Sequence, residues 1–261
     1  EGYYENAKIN RVYVDRVHVK KAFAEYTAAY NADDPKIKLK IDHTYRVAAL
    51  CERIAKAAGM CAYDVELAWL SGMLHDVGRF EQIKRYNTFS DADSVDHAKF
   101  GADLLFKDGL ISTFLNGMVK CTGYKPGALE DRYSSDGVFL YDRLNKSDME
   151  MLELAIRCHN MYRIPQGLNR REQAFCNVLR DADKVDIFKV NIDTPLEEIY
   201  NTTTEELMKS DITDEVLKAF YEEHCILKAI RRTPADTVIG HVSLAYELVY
   251  DESVRITVEQ G

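Results

Sequence analysis

The sequence predicts an all-α fold, a helical bundle that forms a single domain over residues 1–261. Apolar residues recur at helical spacing through most of the chain. The chain is 261 residues long and 46% hydrophobic, so it can bury a substantial core. An alternating strand pattern is scarce, and the run Val-Arg-Ile-Thr-Val at residues 254–258 is the one place where we consider a short C-terminal strand.

Composition limits the classes of partner and the compartment. The net charge of −9 argues against non-specific nucleic-acid binding, which needs a broad basic surface, but it still allows a small phosphorylated substrate. The six cysteines include no C-x-x-C pair, as expected in a reducing compartment. No apolar run approaches the roughly 20 residues of a membrane span. We therefore expect a soluble cytoplasmic protein without membrane contact, whose oligomeric state, including a homo-oligomer, is open.

The N-terminal part predicts two helices. Residues 11–30 have an amphipathic helical pattern, and a loop follows because Pro35 disfavours helical backbone at the residue before it. The second helix spans about residues 42–58, and His43 lies on its apolar face. A hydrogen-bonded core histidine explains His43 taken alone, whereas its position one helix before a His-Asp pair favours a metal ligand.

That pair ends the stretch WLSGMLHDVGRF at residues 69–80. His75 and Asp76 follow an apolar helical run, and Gly78 offers the backbone a place to turn. A carboxylate buried at the end of an apolar helix is costly unless it is paired or bound to a metal, and histidine is the commonest side-chain metal ligand. The pattern therefore predicts a cation site at this helix end.

Three further polar residues lie on apolar helix faces. His97 belongs to a helix predicted over about residues 94–106, and His159 lies at the end of a later helix. Asp183 shares a face with apolar residues one and two turns earlier. Asp181 and Asp186 are the competing carboxylates in this stretch, Asp181 if the register differs, and a solvated position is the alternative for each. Between these helices, residues 121–148 are weakly patterned and predict an irregular segment.

The C-terminal third predicts more helices and little chemistry. Thr213 or Asp211 is the candidate N-cap of one of these helices, and Thr233 is that of another. His224 and His241 also occur here, and the sequence assigns neither of them a role.

In this order the residues resemble those of the HD superfamily of metal-dependent phosphohydrolases. That family has an upstream His, a later His-Asp pair and a distant Asp in an Ala-Asp-Lys/Arg run, and its two-metal members add two histidines in between. The resemblance covers about residues 38–190, and its positions are filled here by His43, His75, Asp76, His97, His159 and Asp183. HDVGR also looks like the start of the cyclic-dinucleotide branch, but Asn160 replaces the second adjacent histidine of that branch.

The resemblance implies one or two divalent transition metals, and this mixed nitrogen and oxygen set suits Mn, Fe, Co, Ni or Zn, with Mg as a further candidate. We expect His43, His75, Asp76 and Asp183 to hold one ion. We expect His97 and His159 to hold a second ion, with Asp76 bridging the two. A water activated as hydroxide between two such ions would then attack the phosphoryl group.

Three cations are candidates for binding the substrate phosphate. Arg79, one turn after the His-Asp pair, is the leading one, because a guanidinium pairs with phosphate through two parallel hydrogen bonds. Lys184 and Arg163 are second choices, and a surface ion pair is the alternative explanation for each of the three.

The predicted function is hydrolysis of a phosphomonoester or phosphodiester of a small nucleotide-like metabolite. A di-iron oxygenase on the same fold is an alternative, because it would use the same ligand set. A regulatory module that keeps the metal but has no turnover is a second alternative. Iron content with oxygen uptake would identify the oxygenase, and a screen of phosphoesters would identify the regulatory module.

Overall fold

The computed structural model describes residues 14–31, 33–115, 144, 146–200 and 202–261 and confirms the all-α class. No strand occurs among these residues, and most of the irregular segment expected at 121–148 lies outside them. The α-helices are α1 (Arg16–Thr27), α2 (Pro35–Ala57), α3 (Ala62–Leu74), α4 (Val77–Tyr86), α5 (His97–Ala102), α6 (Ile111–Phe114), α7 (Lys146–Cys158), α8 (Arg170–Asp193), α9 (Leu196–Tyr200), α10 (Thr204–Lys209), α11 (Asp214–Tyr221), α12 (Pro234–Val242) and α13 (Asp251–Gln260).

Helix α3 lies at the centre of the core. Every residue from Leu67 to Leu74 is buried, and α2, α7 and α8 pack against this helix. A Cβ atom on Gly72 would lie 2.6 Å from the Cα atom of Ala48, so only glycine allows α2 and α3 to approach so closely. Because α3 is enclosed by its neighbours, the residues that follow it begin inside the protein.

Helix α2 begins earlier than the sequence analysis predicts. The carboxylate of Asp34 accepts a hydrogen bond from the backbone N–H of Lys36, and Pro35 occupies the first helical position. Proline suits that position because its fixed backbone angle is helical and its missing N–H has no partner to lose. The predicted start near residue 42 is therefore wrong, and Lys40 belongs to the same helix as His43.

The interpretation of Gly78 as a turn is also wrong. Helix α4 begins at Val77, directly after the His-Asp pair, so Gly78 is a helical residue. A Cβ atom at Gly78 would lie 2.5 Å from the carbonyl oxygen of His97 and 2.7 Å from the backbone nitrogen of Gly101. The glycine therefore lets α4 and α5 pack together, which brings His97 close to the pair.

The short strand considered at residues 254–258 is a helix. Ser253 and Ile256 are buried, whereas Val254 and Val258 are 49% and 75% exposed. Burial thus recurs every three residues, as on a helix face, and this face packs against α8. A short run of β-branched residues does not distinguish a strand from a helix, which explains the error.

Helices α9 to α12 come after the helices of the main core in the sequence. Val216, Ala219 and Ile226 form a small second cluster of buried apolar side chains. Thr213 and Thr233 are the N-caps of α11 and α12, as their sequence context predicts.

Candidate metal centre

The polar side chains singled out from the sequence meet where six helices come together. They lie on α2, in the link between α3 and α4, at the first residue of α5, just after α7, and on α8. Those on the five elements are, in order, His43, the pair His75 and Asp76, His97, His159 and Asp183. The chain thus brings together residues up to 140 positions apart, from 43 to 183.

Asp76 lies between two groups of imidazoles. Its Oδ2 atom is 3.6 Å from the Nε2 atoms of both His43 and His75. An oxygen of Asp183 completes this side, 3.2 Å from Nε2 of His43 and 3.8 Å from Nε2 of His75. The Oδ2 side therefore combines two imidazoles with two carboxylates.

The other oxygen of Asp76 faces the remaining two histidines. Oδ1 is 3.5 Å from Nε2 of His97 and 3.7 Å from Nε2 of His159. These two Nε2 atoms are 3.0 Å apart. The Oδ1 side therefore has two imidazoles around a single shared carboxylate.

Each imidazole is oriented through its Nδ1 atom. His75 and His159 contact backbone carbonyls, those of Gly72 and Ile156, at 2.7 Å. His43 and His97 contact carboxylates instead, those of Asp186 at 2.6 Å and Asp91 at 2.7 Å. A carbonyl oxygen can only accept, so Nδ1 carries the proton in His75 and His159. In these two residues the outer partner fixes the tautomer and leaves the Nε2 lone pair for a metal.

Burial changes the protonation of these groups. It lowers the pKa of His75, and it lowers the pKa of His97 and that of His159 to about 4. For His43 burial acts in the same direction, but the hydrogen bonds to Asp183 and Asp186 outweigh it and raise the pKa. At neutral pH the Nε2 atoms of His97 and His159 are therefore unprotonated.

The two inner carboxylates stay charged. Burial alone would raise the pKa of Asp76, but the charge of Lys40 and the surrounding imidazoles hold it well below its usual value. Burial likewise opposes the lowered pKa of Asp183, which the hydrogen bond from His43 holds down. Both residues are therefore carboxylates at neutral pH.

These observations fit a divalent cation. The Nε2 atoms of His97 and His159 lie only 3.0 Å apart, and Oδ1 of Asp76 is buried without a hydrogen bond from the described residues. Sets of ligand atoms within 4.8 Å of one another occur in His43, His75 and Asp183, and again in His75, Asp76 and His159. Buried acceptors and charges this close together need a cation to offset their repulsion and desolvation.

A comparison with protein families agrees with this geometry. A family model described as HD domain matches residues 41–190, more than half of the chain. The chain belongs to the HD-domain family. Its proteins are largely metal-dependent hydrolases and bind divalent metals, and the match includes all six candidate metal ligands, from His43 to Asp183. No curated protein and no solved structure matches the chain.

A membrane span is not found in the described part of the HD-domain protein. None of its described helices combines the length and the hydrophobicity that crossing a bilayer requires.

The cations predicted to bind phosphate have different surroundings in this HD domain. Arg79 lies beside the centre, with Nε 3.8 Å from Oδ1 of Asp76 and Nη1 donating to Asp91 at 2.9 Å. The ammonium of Lys184 lies 3.4 Å from a carboxylate oxygen of Glu247. The guanidinium of Arg163 lies over the ring of Tyr162. Of these three cations, only Arg79 has one of these contacts with Asp76.

Lys40 and Asp91 contact the centre although the sequence assigns them no role there, and Asp186, a competing carboxylate for the place of Asp183, contacts His43 instead. Nζ of Lys40 donates to Oδ2 of Asp76 at 2.8 Å, and the two aspartates orient His97 and His43. Lys40 precedes His43 by three residues on one helix, a spacing that would have placed both on the same face. Asp91 lies in a polar loop, and no periodic pattern marks it.

The remaining polar candidates have contacts elsewhere. Asp181 accepts hydrogen bonds from the backbone N–H groups of Val249 and Tyr250, at the start of α13, so Asp183 and not Asp181 faces the imidazoles. His224 contacts Glu222, and His241 contacts Tyr200. These contacts give His224 and His241 no place in the centre.

Proposed function

We propose that this HD domain is a metal-dependent phosphohydrolase that cleaves a phosphomonoester or phosphodiester of a small nucleotide-like metabolite. The proposal is supported mainly by the arrangement around Asp76, whose two oxygens face separate pairs of imidazole Nε2 atoms. A carboxylate that can serve two cations through separate oxygens, with imidazoles on each side, supports a two-metal centre for phosphoryl chemistry.

We assign each side of Asp76 to one ion. His43, His75, Asp183 and Oδ2 of Asp76 would hold the first ion, and His97, His159 and Oδ1 would hold the second. Such ions, when bound, supply an activated water and neutralise charge on the phosphoryl oxygens. The Nδ1 partners keep every Nε2 atom directed inward, so the ligands need little reorganisation when a metal binds.

Arg79 is the chain's own candidate for holding the phosphate, as the sequence predicts. Its Nε atom is buried without a hydrogen-bond partner among the described residues, and it points toward Asp76. Its Nη1 atom donates to Asp91 and to the carbonyl oxygen of Phe89, which fixes the guanidinium in place. We rank Lys184 below Arg79, because its ammonium lies beside Glu247.

We also propose that the C-terminal helices and the family match form one domain. Three contacts cross from the matched region to α13 and the segment before it. Arg53 donates to Glu252 at 2.6 Å, Arg180 donates to Glu247 at 3.1 Å, and Ser253 donates to Asp181 at 2.7 Å. Few contacts cross a boundary between separate domains, so these hydrogen bonds, two of which involve the buried Arg180 and Asp181, support a single domain.

The test is metal reconstitution followed by a substrate panel. Protein purified without added metal is analysed for its elements, stripped, and reloaded singly with Mn, Fe, Co, Ni, Zn or Mg. Each form is then assayed for phosphate release from nucleotide monophosphates and for cleavage of cyclic dinucleotides. We expect about two ions per chain and hydrolysis that returns only with metal. The control is Asp93→Ala, which removes an exposed carboxylate from the loop before α5.

Other outcomes of the same test contradict the proposal. Oxygen uptake by the iron form, without phosphate release, would identify a di-iron oxygenase. Metal binding without turnover of any phosphoester would identify a regulatory module. Absence of metal binding would remove the basis for both alternatives and for the proposal.

A further inference from the structure

Lys40 has an unusual position for a lysine. Its ammonium donates to Oδ2 of Asp76 at 2.8 Å, and that oxygen also faces the Nε2 atoms of His43 and His75 at 3.6 Å. Lys40 thus places a positive charge at the atom we assign to the first metal ion. It lies just outside the family match, which begins at residue 41.

The side chain of Lys40 also lies on the accessible side of the centre. It is 19% exposed, like Asp183 at 18%, whereas His43, His75 and Asp76 are 5% exposed or less. The Oδ2 side therefore opens to solvent next to Lys40 and Asp183. An anionic substrate that approaches this side meets the ammonium of Lys40 beside the carboxylate of Asp183.

We propose that Lys40 is a phosphate-binding residue that neutralises Asp76 in the metal-free protein and contacts the substrate phosphate in the metal-loaded protein. This inference rests on the proposed function. A divalent cation at Oδ2 repels the ammonium, so Lys40 has to leave that oxygen when the metal binds. The lysine stem is flexible and carries a compact charge, which allows the ammonium to reach a nearby phosphoryl oxygen without movement of α2.

The proposal predicts opposite changes in two affinities. Replacing Lys40 with methionine removes a charge that competes with the metal, so the metal should bind more tightly. The same replacement removes a cation from the phosphate site, so phosphate should bind more weakly. A residue that only stabilises the fold would not change the two affinities in opposite directions.

The experiment compares Lys40→Met with Lys38→Met. Lys38 lies on the same helix, is 70% exposed and pairs with Asp42, so its replacement changes the net charge equally without touching the centre. Calorimetry measures the binding of Mn²⁺ to the stripped full chain and then the binding of inorganic phosphate to the Mn²⁺-loaded chain. For Lys40→Met we expect about tenfold tighter Mn²⁺ binding and about tenfold weaker phosphate binding. Lys38→Met should match the wild type in both.

Lys40→Arg distinguishes the loss of the positive charge from a loss of folding in Lys40→Met. It keeps the positive charge, so phosphate binding should stay within about threefold of the wild type even if Lys40→Met unfolds. Two results in folded Lys40→Met would overturn the proposal for Lys40: Mn²⁺ binding that is unchanged or weaker, or phosphate binding that is unchanged. Either result would leave the proposed function in place. Loss of phosphate binding in Lys40→Arg would also overturn the proposal for Lys40. A wild-type chain that binds no Mn²⁺ would instead contradict the metal centre itself.

Discussion

The two sides of Asp76 offer a cation different environments. The Oδ2 side has the second carboxylate of Asp183, and two of its ligands lie within the long helices α2 and α8. The Oδ1 side has His97 at the first residue of α5 and His159 just after α7. A divalent ion is held more strongly by two negative charges than by one, so we expect the Oδ2 side to bind its metal first.

The residues that contact the Nδ1 atoms of His43 and His97 also differ in where they lie, on helices or in a loop. On the Oδ2 side, Asp186 contacts His43 and accepts two hydrogen bonds from Arg46, all within α2 and α8. On the Oδ1 side, His97 depends on Asp91, which lies in the loop between α4 and α5. One proposed metal site thus lies within the body of the bundle, and the other proposed site depends on helix ends and a loop.

The largest effect should come from Asp76→Ala, because this residue belongs to both sides. We expect the metal content to fall from about two ions per chain to about zero and hydrolysis to fall to background. Helix content should stay largely intact, because the side chain of Asp76 does not cap α4. Elemental analysis, circular dichroism and the phosphoester assay measure the three quantities. A folded variant that keeps its metal and activity would refute the assignment.

Asp183→Asn should separate the two sides. It removes the extra negative charge of the Oδ2 side, so the tighter of two metal-binding steps should weaken by more than about 100-fold. The weaker step should change little, because the contacts of Asp183 are with His43 and His75. Calorimetric titration of the stripped protein resolves both steps. If the weaker step changed instead, the order of affinities that we infer from the charges would be reversed.

Helix periodicity marked His43 and Asp183 as candidates because each is a polar side chain on an otherwise apolar helix face, whereas His75 and Asp76 were marked by their place at the end of an apolar helix. His43 shares a face with buried residues such as Val47 and Ile54, so its inward direction follows from the helical repeat. The same reasoning failed at residues 254–258, where β-branched residues suggest a strand although only every third residue is buried. Tertiary packing, which local sequence does not contain, decides such cases.

The outer residues could not be predicted in this way. Asp91 lies in a polar loop, where an aspartate is usually solvated, and its role follows only from the approach of His97, Arg79 and Gln82. Asp186 is on α8, but its partner His43 is 143 positions away. A contact over that distance depends on how α2 packs against α8.

His97→Ala tests the Oδ1 side and should have a smaller effect. We expect the metal content to fall from about two ions per chain to about one, with the tighter binding step kept. The ring of His97 contacts Asp76, Asp91 and His159 and none of the other metal ligands, so the Oδ2 side should stay intact. Two ions in this variant would mean that His97 is not a ligand and that the sides are not independent.

The smallest effect on the centre should come from Glu247→Gln, which acts from a distance on the Oδ1 side. Glu247 pairs with the buried guanidinium of Arg180 and with Lys184. Arg180 in turn donates to the carbonyl oxygens of Met161 and Tyr162, in the loop that follows His159. Loss of the carboxylate leaves two buried cations without their counter-charge, so the free energy of unfolding should fall by about 1–3 kcal/mol.

In Glu247→Gln the weaker metal-binding step should lose less than about tenfold in affinity, while the tighter step stays constant. The two steps should differ because the hydrogen bonds of Arg180 hold the loop next to His159. None of those hydrogen bonds is to a residue of the Oδ2 side. Urea unfolding of the stripped protein measures stability, and calorimetry measures the two steps. Glu222→Gln, at an exposed residue that pairs with His224, is the control. Equal weakening of both steps would show that the loop supports the whole centre and that the two sides respond as one unit.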